Sequence, residues 1–126
     1  MSDSWTVIGA GTALPRAGYG PSAHAMRLAP LEGVTLFDCG PGTVRSLAAC
    51  GIALADVRRV VLSHFHVDHC ADLAALAFAR RNPSVEVADL ELYAPPAIDR
   101  VLAGLASAFG RGAAFDRTRV VHLDPG

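Results

Sequence analysis

The segment Ser63–Cys70, which reads SHFHVDHC, decides how the rest of the chain is interpreted. It places three of the five histidines and an aspartate within a few positions, directly after the apolar run VRRVVL. A half-buried strand would alternate apolar and polar residues, and an amphipathic helix would repeat its apolar residues every three or four positions. The segment follows neither pattern. Its spacing instead predicts a cluster of metal ligands at the end of a strand.

The composition predicts a globular domain, or part of one, because 52% of its 126 residues are hydrophobic. Eleven basic residues, all arginine, nearly balance twelve acidic ones. No global charge therefore favours nucleic acid or an acidic membrane surface. The three cysteines, Cys39, Cys50 and Cys70, are an odd number at irregular spacing, which indicates a reduced setting rather than a disulfide framework.

The N-terminal sequence MSDSWTVIG lacks the charged and apolar regions of a secretory signal. No segment reaches the roughly 18 apolar residues that a membrane span requires. We therefore expect a cytoplasmic protein that does not associate with membranes.

The order of apolar segments and turns predicts a mixed α/β class in which helices cover a sheet. The continuous apolar run in RRVVLS is typical of a strand that is buried on both faces. The expected strands are WTVIG, SAHAMRL, VTLFDCG, RRVVLS, LELYA and RVVHL, and the expected helices are Thr43–Cys50, ADLAALAFARR and Ile98–Phe109.

The spacing of the ligand types predicts two metal positions. His64 and His66 are separated by one residue, so at an extended strand end both side chains can reach one cation. Asp68 and His69 follow the turn and can face a second cation. Imidazole and carboxylate favour Zn²⁺, with Mn²⁺ or Fe²⁺ as alternatives. Cys70 is read either as a further ligand or, with more weight, as a small buried side chain.

The same residues resemble a known family. HFHVDH resembles the H-x-H-x-D-H signature of the metallo-β-lactamase superfamily, and TLFDCGPGT is similar to its preceding strand, aspartate and glycine turn. The opening TVIGAGTALP and the order of segments resemble the ribonuclease Z and phosphodiesterase-like branch. This resemblance implies that residues 1–126 form the N-terminal half of a four-layer αββα sandwich.

The resemblance also implies residue roles. His64 and His66 would bind the first Zn²⁺, and Asp68 with His69 would bind the second. Asp68 would also orient or deprotonate the attacking water. Asp38 would steady the loop without binding metal, although an aspartate before Gly40 is also a common turn former.

The family completes its site with two more histidines and a metal-bridging aspartate from the second half of the domain, and no residue here matches them. We therefore expect a truncated chain that needs a C-terminal half and is inactive alone. Its sheet is expected to expose apolar surface, which favours a homodimer or aggregation.

The implied function is that of a zinc-dependent hydrolase, a ribonuclease Z-like phosphodiesterase that cleaves an RNA or small-molecule phosphodiester with a metal-activated water. Arg16 and Arg27 could contact phosphate, although isolated arginines are usually solvated. One alternative is a lactonase, thioesterase or arylsulfatase of the same superfamily. An alternative of another class is a non-catalytic metal-binding or interaction module.

Overall fold

The computed structural model describes residues 2–14 and 16–124 and arranges them as one sheet with helices packed against it. The strands lie side by side in chain order. The pairs β1–β2 and β2–β3 are antiparallel, whereas β3, β4, β5 and β6 are parallel and have helices in their connections. The strands are β1 Ser4–Gly9, β2 Ala23–Arg27, β3 Val34–Phe37, β4 Val57–Val61, β5 Leu90–Ala94 and β6 Thr118–His122, and the helices are α1 Thr43–Ala49, α2 Val67–Cys70, α3 Leu73–Arg80 and α4 Ile98–Phe109.

The mixed α/β class and the predicted elements are confirmed, with one refinement in the helix after β4. The helix predicted at ADLAALAFARR is α3, and the single turn α2 is an additional element that forms just before it, within the histidine loop. Gly51 follows α1 with φ 71°, the left-handed conformation that commonly ends a helix. Among the described residues, no helix is long and apolar enough to cross a bilayer.

The core lies on one face of the sheet. Ala25, Leu36, Val60 and Leu92 occupy matching positions on β2, β3, β4 and β5, and all are buried. Burial of each leucine contributes roughly 1.5–3 kcal/mol relative to an exposed side chain. The helices complete this core with the fully buried side chains of Leu47, Leu73, Leu76 and Ile98.

The opposite face, called here the open face, carries an apolar row without helical cover. Val7, on β1, is 49% exposed, and His24 occupies the matching position on β2. The partly buried Phe37, Val61, Tyr93 and Val121 continue the row on β3 to β6. The prediction that β4 is buried on both faces is therefore wrong. The helices α1, α3 and α4 contribute to the core on the other face, so Val61, which points to the open face, remains partly exposed.

Gly40 allows the turn after β3 to approach the histidine loop. A Cβ atom added at Gly40 would lie 2.2 Å from the backbone carbonyl oxygen of Asp68 and 3.0 Å from the Cβ of Pro21. The Gly40 N–H also donates to the carbonyl of Ser22 at 3.3 Å. Because the obstructing oxygen belongs to the backbone, a larger residue must displace the segment that carries Asp68.

We predict that Gly40→Ala lowers the free energy of unfolding by about 1–3 kcal/mol, the usual cost of an overpacked site. Gly104→Ala is the matched control, because a Cβ at this position in α4 would meet no atom within 4 Å. The control should instead stabilise the protein by about 0.5–1 kcal/mol through the higher helix propensity of alanine. Urea denaturation of the three forms measures both changes, and equal stability of Gly40→Ala and the parent would contradict the close approach.

Candidate metal centre

The candidate site lies at the edge of the sheet where the parallel strands end. Asp38 directly follows β3, and the loop Ser63–His66 follows β4 after the buried Leu62. The Asp38 N–H donates to the carbonyl of Val61 at 2.9 Å, which keeps the two strand ends together. Ligand sites in open α/β sheets favour this edge, because loops from neighbouring strands meet there.

Asp38 joins the turn after β3 to the loop after β4. Its backbone has φ 60°, a left-handed conformation that aspartate tolerates better than most residues. Its Oδ2 lies 2.7 Å from Nδ1 of His69, and its Oδ1 accepts hydrogen bonds from the backbone N–H and the hydroxyl of Ser63 at 3.2 and 3.1 Å. Both carboxylate oxygens are therefore used within the site.

The three histidines of the loop lie side by side. The ring centroids of His64 and His66 are 4.7 Å apart, and those of His64 and His69 are 4.1 Å apart. Nδ1 of His64 lies 2.9 Å from the hydroxyl oxygen of Ser63. His66 is exposed and its extended backbone starts α2, so Asp68 and His69 stand in the single turn that follows. The structure thus brings all four predicted ligands to one place.

The backbone fixes His69 independently of its side chain. The Cys39 N–H donates to the His69 carbonyl at 2.7 Å, and the Asp72 N–H donates to the Cys39 carbonyl at 3.0 Å. The Asp72 carboxylate in turn accepts the N–H of Val44 at 2.8 Å, at the start of α1. The turn after β3, the site helix α2 and α1 are therefore one hydrogen-bonded unit.

The contact between Asp68 and His69 tests whether these residues suit a cation. An ionised carboxylate can only accept hydrogen bonds, so Nδ1–H of His69 must be the donor in its hydrogen bond to Asp38. Nε2 of a neutral ring then presents a lone pair to Oδ2 of Asp68, which lies 3.3 Å away. Two acceptors approach this closely only when a proton or a metal ion satisfies both. The donor types and this convergence fit a divalent metal ion.

These donors converge in pairs rather than as one closed cage. Within residues 2–14 and 16–124, no group of three or more His, Cys, Asp or Glu side chains has the geometry of a metal site as it stands. The observed contacts are His64 with His66, His64 with His69, and Asp68 with His69. Each pair would need further ligands to complete a coordination sphere.

The nearby thiols are held protonated by their surroundings. Burial raises the pKa of the Cys70 thiol, and the carboxylates of Asp38 and Asp68 raise it further. The Cys70 thiol donates to the His66 carbonyl at 3.4 Å. Burial likewise raises the pKa of the Cys39 thiol, which lies in the core. Both cysteines therefore pack as small side chains in this structure.

A cavity of about 330 Å³ borders the site at the carboxyl edge of the sheet. Asp38 and Ser63 line it together with Phe37, Pro95 and Leu123, among others. Polar groups of the site therefore face a concave, largely apolar surface, an arrangement that is common in small-molecule sites.

The two remaining histidines have ordinary hydrogen-bond partners outside the site. Nδ1 of His24 accepts a hydrogen bond from the Trp5 indole at 3.2 Å. Nε2 of His122 lies 3.0 Å from a carboxylate oxygen of Asp99. Neither histidine contributes to the candidate site.

The two arginines considered for phosphate differ in their surroundings. Arg27 forms an ion pair with Asp56 at 2.9 Å, so its charge is already matched. Arg16 is exposed in the loop between β1 and β2, where its backbone bonds to that of Tyr19.

Sequence reasoning assigned no role to Ser63 or Asp72. Ser63 contacts both Asp38 and His64, and its position immediately before the first histidine was an available signal. The Asp72 carboxylate accepts a hydrogen bond from the backbone of Val44, 28 positions away, and the spacing of nearby residues cannot predict such a contact.

Comparison with known proteins identifies the protein family. The sequence profile of the Metallo-beta-lactamase superfamily matches residues 20–125. The chain therefore belongs to the metallo-β-lactamase superfamily, and the resemblance predicted from HFHVDH is confirmed.

Individual relatives narrow the likeness to one branch. The chain is 31% identical over 103 residues to ribonuclease Z from Brevibacillus brevis, a match that covers 82% of the chain and 32% of the relative. The crystal structure of the short form of human tRNase Z superposes with a TM-score of 0.79 at 25% identity, covering 99% of the chain and 47% of that protein. The metallo-beta-lactamase fold protein YhfI from Bacillus subtilis shares the fold, with a TM-score of 0.77 at 24% identity over 98% of the chain and 47% of that protein.

The coverage agrees with the predicted half-domain architecture. The chain spans about a third of the length of the curated relative and about half of each of the two solved structures. One sheet with helices on one face is half of a four-layer αββα arrangement.

We predict that His66→Ala weakens Zn²⁺ binding by more than the roughly 100-fold that loss of an outer-sphere partner costs, because a direct ligand is removed. His122→Ala is the control, since it removes an exposed histidine that lies outside the site. Elemental analysis after dialysis against dilute Zn²⁺ measures the difference. Equal zinc content in the parent and His66→Ala would refute the assignment.

Proposed function

We propose that this chain supplies the metal-binding half of a hydrolase that cleaves phosphodiester bonds in RNA. The observation that carries the proposal is the meeting of His64, His66, Asp68 and His69 at the carboxyl edge of the sheet in an H-x-H-x-D-H arrangement. Ribonuclease Z relatives that match most of the chain support the phosphodiester class.

In this proposal His64 and His66 hold one divalent ion, and Asp68 and His69 hold a second. Zn²⁺ suits this donor set best, with Mn²⁺ or Fe²⁺ as alternatives. When bound, such ions lower the pKa of water towards neutrality and neutralise charge on a phosphoryl oxygen. Asp38 orients His69 by accepting a hydrogen bond from its Nδ1–H group, so that Nε2 keeps a free lone pair.

Asp68 has a second role as the proton acceptor. Its carboxylate is partly exposed, with 28% of the side chain accessible, so water can reach it. The backbone around it is held by Gly40 and by the hydrogen bonds that fix α2. A carboxylate in this position can hold an attacking water in line and accept its proton.

The open face supports the proposal that a second half completes the site. Two residues of its apolar row, Phe37 and Val61, line the cavity that Asp38 and Ser63 also line. A second sheet packed on this face would bury the row and could bring the missing ligands to the strand ends. That half could lie in the same polypeptide or in a separate chain.

We predict that the 126-residue chain studied alone self-associates and does not hydrolyse a bis-phenyl phosphodiester when Zn²⁺ is added. The reasons are the uncovered apolar row and the incomplete ligand set. Size-exclusion chromatography and a turnover assay measure both properties. A monodisperse monomer with metal-dependent turnover would contradict the half-site account.

The same assays discriminate among the candidate functions in a protein that carries the complete domain. Turnover of the phosphodiester favours the ribonuclease Z-like activity, whereas turnover of a lactone, thioester or aryl sulfate favours the other hydrolases of the superfamily. Zinc binding without turnover of any of these substrates would instead identify a metal-binding module.

We predict that Asp68→Asn in the complete domain lowers kcat by about 10²- to 10⁴-fold, the contribution typical of general base catalysis. Asparagine preserves the shape and one acceptor oxygen but removes the charge and the base. Asp99→Asn is the matched control, because Asp99 is also a carboxylate beside a histidine but lies outside the site.

Steady-state kinetics at increasing Zn²⁺ concentration separates the two roles of Asp68. If it serves as the base, the loss in kcat persists when zinc occupancy is restored. Full recovery of activity by excess zinc would refute the catalytic role and leave the binding role intact.

A further inference from the structure

The hydroxyl group of Ser63 lies between a carboxylate and a metal-ligand candidate. Its oxygen is 3.1 Å from Oδ1 of Asp38 and 2.9 Å from Nδ1 of His64. The Ser63 backbone N–H also donates to Oδ1 of Asp38 at 3.2 Å, which fixes the serine relative to the carboxylate. Ser63 therefore connects Asp38 to a histidine that Asp38 is not seen to contact directly.

The protons available to each group determine which one donates in the two hydrogen bonds of the Ser63 hydroxyl. A carboxylate accepts only, whereas a hydroxyl donates one proton and can accept others. If Ser63 donates to Asp38, the hydroxyl oxygen is free to accept the Nδ1 proton of His64. If Ser63 donates to His64 instead, two acceptor oxygens face each other at 3.1 Å. The first arrangement is favoured because a hydrogen bond to a charged carboxylate is stronger than one to a neutral ring nitrogen.

We infer that Ser63 is a positioning residue that passes the influence of Asp38 to His64 and holds the His64 ring in the tautomer protonated at Nδ1. The lone pair of His64 is then on Nε2, where it can bind a metal ion. The inference rests on the proposed metal site, and it assigns to Ser63 a role that the H-x-H-x-D-H pattern does not contain.

One carboxylate thereby sets the tautomers of two rings. Oδ2 of Asp38 accepts the Nδ1 proton of His69 directly, and Oδ1 acts on His64 through the serine hydroxyl. Both rings then present Nε2. Histidines that bind metals commonly have the other ring nitrogen fixed by such a partner, and loss of the partner typically weakens metal binding by about 10- to 100-fold.

The first test reads the tautomer without any metal. Long-range ¹H–¹⁵N spectra of the metal-free 126-residue chain, recorded near pH 8 where free imidazole is neutral, distinguish a protonated Nδ1 from a protonated Nε2. We expect His64 to be protonated at Nδ1 in the parent and in Ser63→Thr, which keeps the hydroxyl. In Ser63→Ala we expect a mixture of tautomers or a shift to Nε2.

Magic-angle-spinning spectra of the same labelled samples give the same ¹⁵N shifts if self-association broadens the solution lines. A His64 ring that stays protonated at Nδ1 in Ser63→Ala, or one protonated at Nε2 in the parent, would overturn the inference.

The second test measures Zn²⁺ affinity by competition with a chromophoric chelator. We expect about 10-fold weaker binding in Ser63→Ala and near-parental binding in Ser63→Thr. Ser84→Ala is the control, because it also removes a hydrogen-bonded hydroxyl but does so beside Asn82, away from the site. Equal Zn²⁺ affinity of Ser63→Ala and the parent, or failure of threonine to restore binding, would contradict the positioning role of Ser63.

The two tests separate this inference from the proposed function. A parent chain that binds no Zn²⁺ contradicts the metal site, whereas the tautomer in metal-free samples still decides whether Ser63 controls His64.

Discussion

The carboxylate of Asp38 is the constraint on which the rest of the site depends. It stands where β3 ends, in a left-handed backbone conformation, and it holds His69 with one oxygen and Ser63 with the other. A carboxylate that uses both oxygens in this way fixes the relative position of two loops that are far apart in sequence. Charge-assisted hydrogen bonds are stronger than those between neutral groups, so in the proposed site Asp38 would orient the candidate ligands.

The sheet topology explains why these loops meet. Strands β3 to β6 are parallel, so their carboxyl ends share one edge, and the helices in their connections contribute to the core on one face. The ligands stand at that edge, next to a cavity and to the apolar row of the open face. The fold therefore places the candidate ligands beside an apolar face that no helix of the described residues covers. This arrangement accounts for the match to about half of each related structure.

Local patterns predicted the elements that local forces determine. The Ile98–Phe109 helix was predicted with the bounds that the structure gives, and the four candidate ligands were predicted from their spacing at a strand end. The prediction that β4 is buried on both faces was wrong, because the number of covered faces depends on where helices from other segments pack.

The contacts that hold the candidate ligands in place could not be predicted from local patterns, because they join segments that are distant in sequence. Asp72 bonds to Val44, and Gly40 lies against the backbone of Asp68, so both roles depend on segments that folding brings together. Ser63 lies inside the segment Ser63–Cys70, but its contact with Asp38 depends on a residue 25 positions earlier.

The central claim is that the loop after β4 binds metal through its histidines and aspartate. Anomalous diffraction on either side of the zinc absorption edge, from crystals grown with Zn²⁺, tests this most directly. We predict a zinc peak within about 2.0–2.2 Å of donor atoms of His64 and His66, of Asp68 and His69, or of both pairs. Zinc bound only elsewhere, for example at His24 or His122, with no peak at the loop would contradict it.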